Sequence, residues 1–143
     1  MAKRIQVVID CADPDRLAQF WAEALGYQVQ PPPGGYGSWE EWLREAGIPE
    51  ADWGAVSAVV DPDGTGPRFY FQRVPEPKTG KNRVHVDVNQ GTRETPPEER
   101  RRLVDAEVER LKGLGATELY RGEEFGDYWV TLADPEGNEF CVQ

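Results

Sequence analysis

The sequence is poor in the residues that most often bind metals. It holds one histidine, one methionine and two cysteines in 143 residues. A single histidine excludes an iron centre built from two histidines and a carboxylate. Cys11 and Cys141 are far apart and form no C-x-x-C pair, which excludes a local zinc knuckle. We expect both cysteines to be buried thiols in a reducing compartment.

Basic charge and long apolar runs are also lacking. The chain carries 16 Lys and Arg against 26 Asp and Glu, a formal net charge of −10, which argues against a nucleic-acid partner. No segment approaches the roughly 18 to 20 apolar residues of a membrane span, and Met1–Arg4 leads directly into a predicted strand. We therefore expect a soluble, cytoplasmic protein without a membrane partner. The acidic charge suits a cationic small ligand, or serves solubility alone.

The segment Arg83–Asn89 contains the only histidine and has a strong periodicity. Its valines, beginning with Val84, alternate with His85, Asp87 and Asn89. A period of two predicts a strand that buries the valines and presents the three polar side chains on one surface. A lone histidine on a strand is equally compatible with an ordinary surface residue.

The sequence also indicates an internal duplication. Val60–Gly64 (VDPDG) matches Ala133–Gly137 (ADPEG), and Ile5–Asp10 can be laid over Val84–Asn89. Each half of about seventy residues would be marginally stable alone, so we predict one domain over 1–143 with repeats at 3–74 and 82–143.

Start and stop signals place a helix in each half. Asp13 and Pro14 predict a capped helix that Gly26 ends, and Thr95 with Glu98 has the spacing of a capping box for a helix through about Lys112. Both halves then read as strand, helix and three strands. An insertion at 31–53, rich in tryptophan, interrupts the first half as either a lid or a packed connection.

This order of elements, with a D-P-x-G turn before the last strand of each half, resembles the vicinal oxygen chelate superfamily. Asp134–Asn138 (DPEGN) is the most specific match. The superfamily includes glyoxalases, bleomycin-resistance proteins, fosfomycin-resistance transferases and extradiol dioxygenases. The resemblance implies an α+β fold in which two βαβββ modules form an open, cupped eight-stranded mixed sheet, often in a homodimer.

The resemblance also implies a site. Family members take one metal ligand from the first and last strand of each module, and these positions match Gln6 and His85, then Tyr70 and Cys141. Glyoxalases have glutamates where Tyr70 and Cys141 stand, so the glutamate proton shuttle is not expected. The candidate set for a divalent metal is Gln6, His85 and Cys141, and a thiolate beside an imidazole favours zinc.

Two functions fit this reading. The first is an enzyme of lyase, isomerase or transferase type, not an extradiol dioxygenase, with His85 and Asp87 as catalytic residues. The second is a non-catalytic protein that sequesters a cationic drug, as bleomycin-resistance proteins do. In either case the expected partner is a small molecule. The predicted ligand-binding residues are Gln6, Asp10, Tyr70, Asn89, Trp129 and Cys141.

Overall fold

The computed structural model describes residues 1–143 and divides into two compact units, Met1–Pro77 and Lys78–Gln143. Each unit has the order strand, helix and three strands, which confirms the predicted βαβββ pattern. The eight strands form two four-stranded mixed sheets. The elements are β1 (Gln6–Cys11), α1 (Pro14–Leu25), β2 (Gln28–Val29), α2 (Trp39–Glu45), β3 (Val56–Val60), β4 (Arg68–Arg73), β5 (Asp87–Val88), α3 (Pro97–Leu114), β6 (Thr117–Glu124), β7 (Asp127–Ala133) and β8 (Glu139–Val142).

In the first unit α1 covers one face of the sheet β1-β4-β3-β2. β1 runs parallel to β4, and the other pairs are antiparallel. Trp21 of α1 packs on Phe69 of β4 with ring centroids 5.6 Å apart, and both residues are buried. The residues that alternate with the buried ones on β1 and β4 therefore lie on the face opposite α1.

Both predicted ends of α1 are confirmed. The Asp13 side chain accepts a hydrogen bond from the backbone N–H of Arg16 at 3.2 Å, and Pro14 occupies the first turn. Gly26 ends the helix in the left-handed conformation, with φ of 67°. Local capping chemistry thus fixes where this helix meets the strands.

In the second unit α3 covers one face of the sheet β5-β8-β7-β6, in which β5 runs parallel to β8. The strand residues beneath it are apolar and fully or nearly fully buried, so the core of this unit lies between α3 and the sheet. Its members are Val104, Val108, Leu111, Val130, Leu132, Phe140 and Val142.

An aspartate organises the D-P-x-G turn in each unit. Asp134 accepts hydrogen bonds from the backbone N–H groups of Glu136 and Asn138, at 2.9 and 3.0 Å. Asp61 likewise accepts from backbone N–H groups of its own turn, which lower its pKa to about 2. These bonds explain why the D-P-x-G motif recurs.

The predicted strand over Arg83–Asn89 is wrong in extent, since only Asp87–Val88 forms β5. Val84, predicted to be buried, is 84% exposed. The side chain of Asn82 explains the difference. Its Oδ1 accepts from the backbone N–H of Glu139 at 3.3 Å, and its Nδ2 donates to the carbonyl of Val84 at 3.3 Å. A side-chain amide therefore takes the place of the ladder bond that a longer β5 would make to β8.

The predicted capping box is also wrong. The N-cap position of α3 is Pro96, which has no polar side chain, rather than Thr95. The hydroxyl of Thr95 accepts from the backbone N–H of Thr92 at 2.8 Å. The helix runs past Lys112 to Leu114 before Gly115 ends it.

The insertion at 31–53 forms α2 and a short 3-10 helix, Glu50–Asp52. Ser38 caps α2 by accepting from the N–H of Glu41 at 3.1 Å. Trp39 donates from its indole to the carbonyl of Gln30 at 2.8 Å, which ties the insertion to the end of β2. None of the three α-helices is both long and apolar enough to cross a membrane.

Gly122 on β6 lies beneath the indole of Trp129, its cross-strand partner on β7. A Cβ on Gly122 would fall 2.3 Å from Cζ2 of Trp129, closer than any real contact. We predict that Gly122→Ala lowers the free energy of unfolding by about 1–3 kcal/mol, because the ring or the strand must move.

The matched control is Gly113→Ala in α3, where a Cβ meets nothing within 4 Å. It should raise stability by roughly 0.5 kcal/mol, because alanine favours the helix. Chemical denaturation of both variants measures the difference. A Gly122→Ala protein as stable as the wild type would contradict the packing described for Trp129.

Candidate functional site

The sheet of the second unit has a face opposite α3, which we call the polar face. Pairing in register places Asp87 of β5 beside Cys141 of β8, and Cys141 beside Thr131 of β7. Because neighbouring residues in register point to the same side of a sheet, the three side chains form one row across three strands. His85 precedes Asp87 by two residues and joins this row.

His85 and Asp87 are in direct contact on the polar face. Nε2 of His85 lies 3.2 Å from Oδ1 of Asp87, and their side chains are 50% and 39% exposed. A carboxylate at this distance favours the imidazole tautomer with its proton on Nε2. Nδ1 is then left as a hydrogen-bond acceptor that a ligand can reach.

Cys141 is half-buried, and its Sγ lies 3.3 Å from the hydroxyl oxygen of Thr131. Burial raises the pKa of the Cys141 thiol above its ordinary value, and the negative charge of Asp87 also raises it, against the opposing hydrogen bond from Thr131. The thiol is therefore protonated at neutral pH. It can donate a weak hydrogen bond but is a poor nucleophile.

His85, Asp87 and Cys141 form a possible metal-ligand group. One ligand atom from each residue lies within 4.8 Å of the others. Imidazole nitrogen, carboxylate oxygen and thiolate sulfur are the three ligand types that zinc accepts, and three protein ligands leave a fourth position open. The residues thus fit a zinc-type ion, provided that Cys141 loses its proton when the ion binds.

Two further interactions lie at the two ends of the polar face along β8. Lys81 forms an ion pair with Glu139, which lowers the pKa of the Glu139 carboxyl and raises that of the Lys81 ammonium group. Beyond Cys141, Gln143 donates to Oδ1 of Asn89 at 3.1 Å. The centre of the row therefore lies between an ion pair and a neutral amide pair.

Gln6, Asp10 and Tyr70, the predicted site residues of the first unit, lie on its sheet face opposite α1. Oε1 of Gln6 accepts from Nη1 of Arg68 at 2.6 Å, and the same guanidinium lies over the Tyr70 ring at 5.1 Å. Asp10 accepts from Nε2 of Gln72 at 2.7 Å. The oxygen of Gln6 that would bind a metal is thus hydrogen-bonded to a cation.

Sequence reasoning missed Arg68 and Thr131. A signal for Arg68 was present, because Arg68 and Tyr70 alternate with Phe69 and Phe71 along one strand. That alternation places Arg68 on the same face as Gln6. Thr131 could be identified as a neighbour of Cys141 only from the register of β7 against β8. The sequence of a single strand does not reveal that register.

Comparisons with known proteins agree with this architecture. The fold is that of the vicinal oxygen chelate superfamily. A family model described as a glyoxalase-like domain matches residues 6–143. The chain belongs to that family. No curated protein sequence matches it.

Three solved structures share the fold at low sequence identity. A glyoxalase/bleomycin resistance protein/dioxygenase family enzyme from Burkholderia phytofirmans is 18% identical, with 96% of this chain and 94% of that chain covered and a TM-score of 0.61. A variant of the fosfomycin resistance protein from Listeria monocytogenes, complexed with Mn(II) and a dihydroxypropylphosphonic acid, is 11% identical, with 100% and 90% covered and a TM-score of 0.63. A lactoylglutathione lyase from Agrobacterium tumefaciens is 13% identical, with 99% and 92% covered and a TM-score of 0.58.

The environment of Cys141 predicts its reactivity. In the metal-free protein, alkylation of Cys141 should have a midpoint pH above the ordinary cysteine pKa, because burial and Asp87 disfavour the thiolate. Asp87→Asn should lower that midpoint by removing a nearby negative charge. Peptide-resolved mass spectrometry after timed iodoacetamide treatment measures both.

Cys11 provides the internal control. It is 5% exposed and lies 3.6 Å from the carbonyl of Gln72, so it should remain unmodified while the protein is folded. A Cys141 midpoint at or below that of an ordinary cysteine would show that the thiol is not held as described.

Proposed function

We propose that the protein binds a small organic molecule on the polar face, with His85 as the group that accepts a hydrogen bond or a proton from it. The observation that carries this proposal is the 3.2 Å contact of His85 with Asp87 beside Cys141. These side chains lie on the sheet face that α3 leaves uncovered. Membership of a glyoxalase-like family supports a small-molecule ligand.

Each group on the polar face has a separate chemical role. Nδ1 of His85 accepts the proton, and Asp87 orients the ring and stabilises the imidazolium that forms. The protonated Cys141 thiol, whose sulfur lies 3.3 Å from the hydroxyl oxygen of the buried Thr131, can donate a weak hydrogen bond to an oxygen of the ligand. Trp129, on the same face of β7, supplies an apolar wall. Proton transfer by a positioned histidine accelerates reactions by roughly 10²–10⁴-fold.

A histidine is the more suitable base in this sequence, because the positions that match the glutamates of glyoxalases carry no carboxylate. Tyr70 and Cys141 stand there in this sequence. A phenol and a protonated thiol cannot act as carboxylate bases at neutral pH. We therefore assign proton transfer to His85 and Asp87.

A divalent metal is compatible with the same residues. His85, Asp87 and Cys141 would hold it, with Asp87 in place of the Gln6 expected from the sequence. A bound zinc ion supplies Lewis acidity to an oxygen of the ligand. Asp87 and Cys141 would together supply two negative charges as carboxylate and thiolate, which suits a divalent ion better than the neutral oxygen of Gln6.

Zinc binding has a direct test. We expect dialysis against Zn²⁺ to leave about one ion per chain, and His85→Gln and Cys141→Ser each to reduce that amount strongly, because only two ligands remain. Metal analysis gives the count, and protection of Cys141 from iodoacetamide gives a second readout. Unchanged zinc content in both variants would place the ion elsewhere.

A non-catalytic role is the second candidate, in which the protein sequesters a cationic drug without transforming it. The protonated state of Cys141 and the formal charge of −10 favour it. Aromatic surface such as Trp129 and acidic charge attract a cation without any catalytic group.

The experiment is a ligand screen with His85 as its reporter. Small carbonyl compounds, aromatic amines and cationic glycopeptides are tested by thermal shift, and hits are followed by calorimetry and mass spectrometry of products. For a compound that binds the polar face, His85→Gln should abolish any turnover or weaken binding about tenfold or more, through loss of one charge-assisted hydrogen bond.

Val84→Gln is the matched control, because Val84 adjoins His85 in the chain and is 84% exposed. It should change neither binding nor turnover. Turnover that is lost in His85→Gln supports the enzyme, and tight binding without any product supports the sequestering role. Hits that bind His85→Gln and Asp87→Asn as tightly as the wild type would contradict both.

A further inference from the structure

Arg68 in the first unit is an arginine held in place without an acidic partner. Its Nε donates to Oε1 of Gln30 at 2.7 Å, and its Nη1 donates to Oε1 of Gln6 at 2.6 Å. The ring of Tyr70 lies beneath the guanidinium, 5.1 Å from Cζ to the ring centroid. Two neutral amides and an aromatic face fix its position, and none of them neutralises its charge.

This arrangement differs from that of three other arginines in the chain. Arg101, Arg110 and Arg121 each form an ion pair with a carboxylate at 2.7 Å or less. The chain has 26 acidic residues, so carboxylates are abundant. The partners of Arg68 are instead glutamines, which leave its positive charge available to a ligand.

The guanidinium also keeps free donors. Arginine has five N–H groups, and the bonds to Gln30 and Gln6 use two of them. The other three, on Nη1 and Nη2, remain for a ligand. A planar group with adjacent donors matches the geometry of carboxylate, phosphate and phosphonate oxygens.

A cavity of about 400 Å³ adjoins Arg68 within the first unit. Arg4 also lines it, so two arginines border the same space. Asp61 is the acidic residue in the lining, and its carboxylate accepts from Asp63, Thr65 and Gly66 of its own turn. The remaining walls include the apolar side chains of Ile5, Val60 and Pro67.

We propose that the first unit binds a small organic anion here, with its carboxylate, phosphate or phosphonate group on Arg68 and its apolar body against Ile5 and Val60. The same geometry disfavours a divalent cation at Gln6, because the guanidinium occupies its ligand oxygen and repels positive charge. This site rests on the first unit alone and does not depend on the role of His85.

The test compares probes that differ either in charge or in the presence of an apolar body. Benzoate and phenylphosphonate are the anionic probes, benzamide is the neutral match to benzoate, and inorganic phosphate lacks the apolar body. Titrations are followed by amide chemical shifts of the ¹⁵N-labelled full chain at low ionic strength. Benzoate and phenylphosphonate should shift the amides of Gln6, Arg68 and Tyr70, benzamide should not, and inorganic phosphate should bind more weakly than phenylphosphonate.

Arg68→Gln should weaken binding of benzoate and phenylphosphonate roughly ten- to a hundredfold, the range for lost hydrogen bonds to a charged group. Arg68→Lys should bind with intermediate affinity, because it keeps the charge and loses the planar donors. Arg73→Gln is the charge-matched control. Arg73 ends the same strand, and alternation places it away from the face of Arg68.

Several results would overturn the proposal. They are equal binding of benzamide and benzoate, equal binding of phosphate and phenylphosphonate, unchanged affinity in Arg68→Gln, or an equal loss in Arg73→Gln. Thermal melts verify that each variant is folded. His85→Gln should retain full benzoate affinity, so failure of this proposal is distinguishable from failure of the one for the polar face.

Discussion

The chemistry available to the second unit depends on one strand pairing, that of β5 with β8. A shift of one residue would turn Asp87 away from Cys141 and put a valine in its place. Two observed features hold the register. The hydrogen bonds of Asn82 bind the segment before β5 to the start of β8, and those of Asp134 fix the turn from which β8 begins. Backbone pairing therefore brings the carboxylate of Asp87 beside the thiol of Cys141, and the contact of His85 with Asp87 adds the imidazole.

The two units use one architecture for different chemistry. In the first unit, the polar residues opposite the helix include a guanidinium held by two glutamines over a tyrosine. In the second, they include an imidazole, a carboxylate and a half-buried thiol. The helix, the apolar core and the aspartate turn occur in both units, and these features determine stability. The polar residues of the opposite faces differ between the units, and exposed polar side chains contribute little to folding stability.

The sequence predicted the features that depend on local chemistry. The cap at Asp13, the left-handed Gly26 and the aspartate turns follow from short-range backbone requirements, and the βαβββ order follows from periodicity. The extent of β5 could not be predicted, because the side chain that ends it, Asn82, acts on a residue distant in the chain. The pairing of Gln6 with Arg68 likewise depends on strand register. The sequence therefore predicted Gln6 as a metal ligand, whereas in the structure its side-chain oxygen accepts a hydrogen bond from Arg68.

The most direct test of the central claim uses the fact that the chain has one histidine. Long-range ¹H–¹⁵N correlation of the imidazole reports which ring nitrogen carries the proton when the ring is neutral. The contact between Nε2 of His85 and Asp87 predicts that the neutral ring is protonated on Nε2. In Asp87→Asn we expect a mixture of the Nε2-protonated and Nδ1-protonated tautomers. A ring protonated on Nδ1, or a tautomer indifferent to Asp87→Asn, would contradict the account.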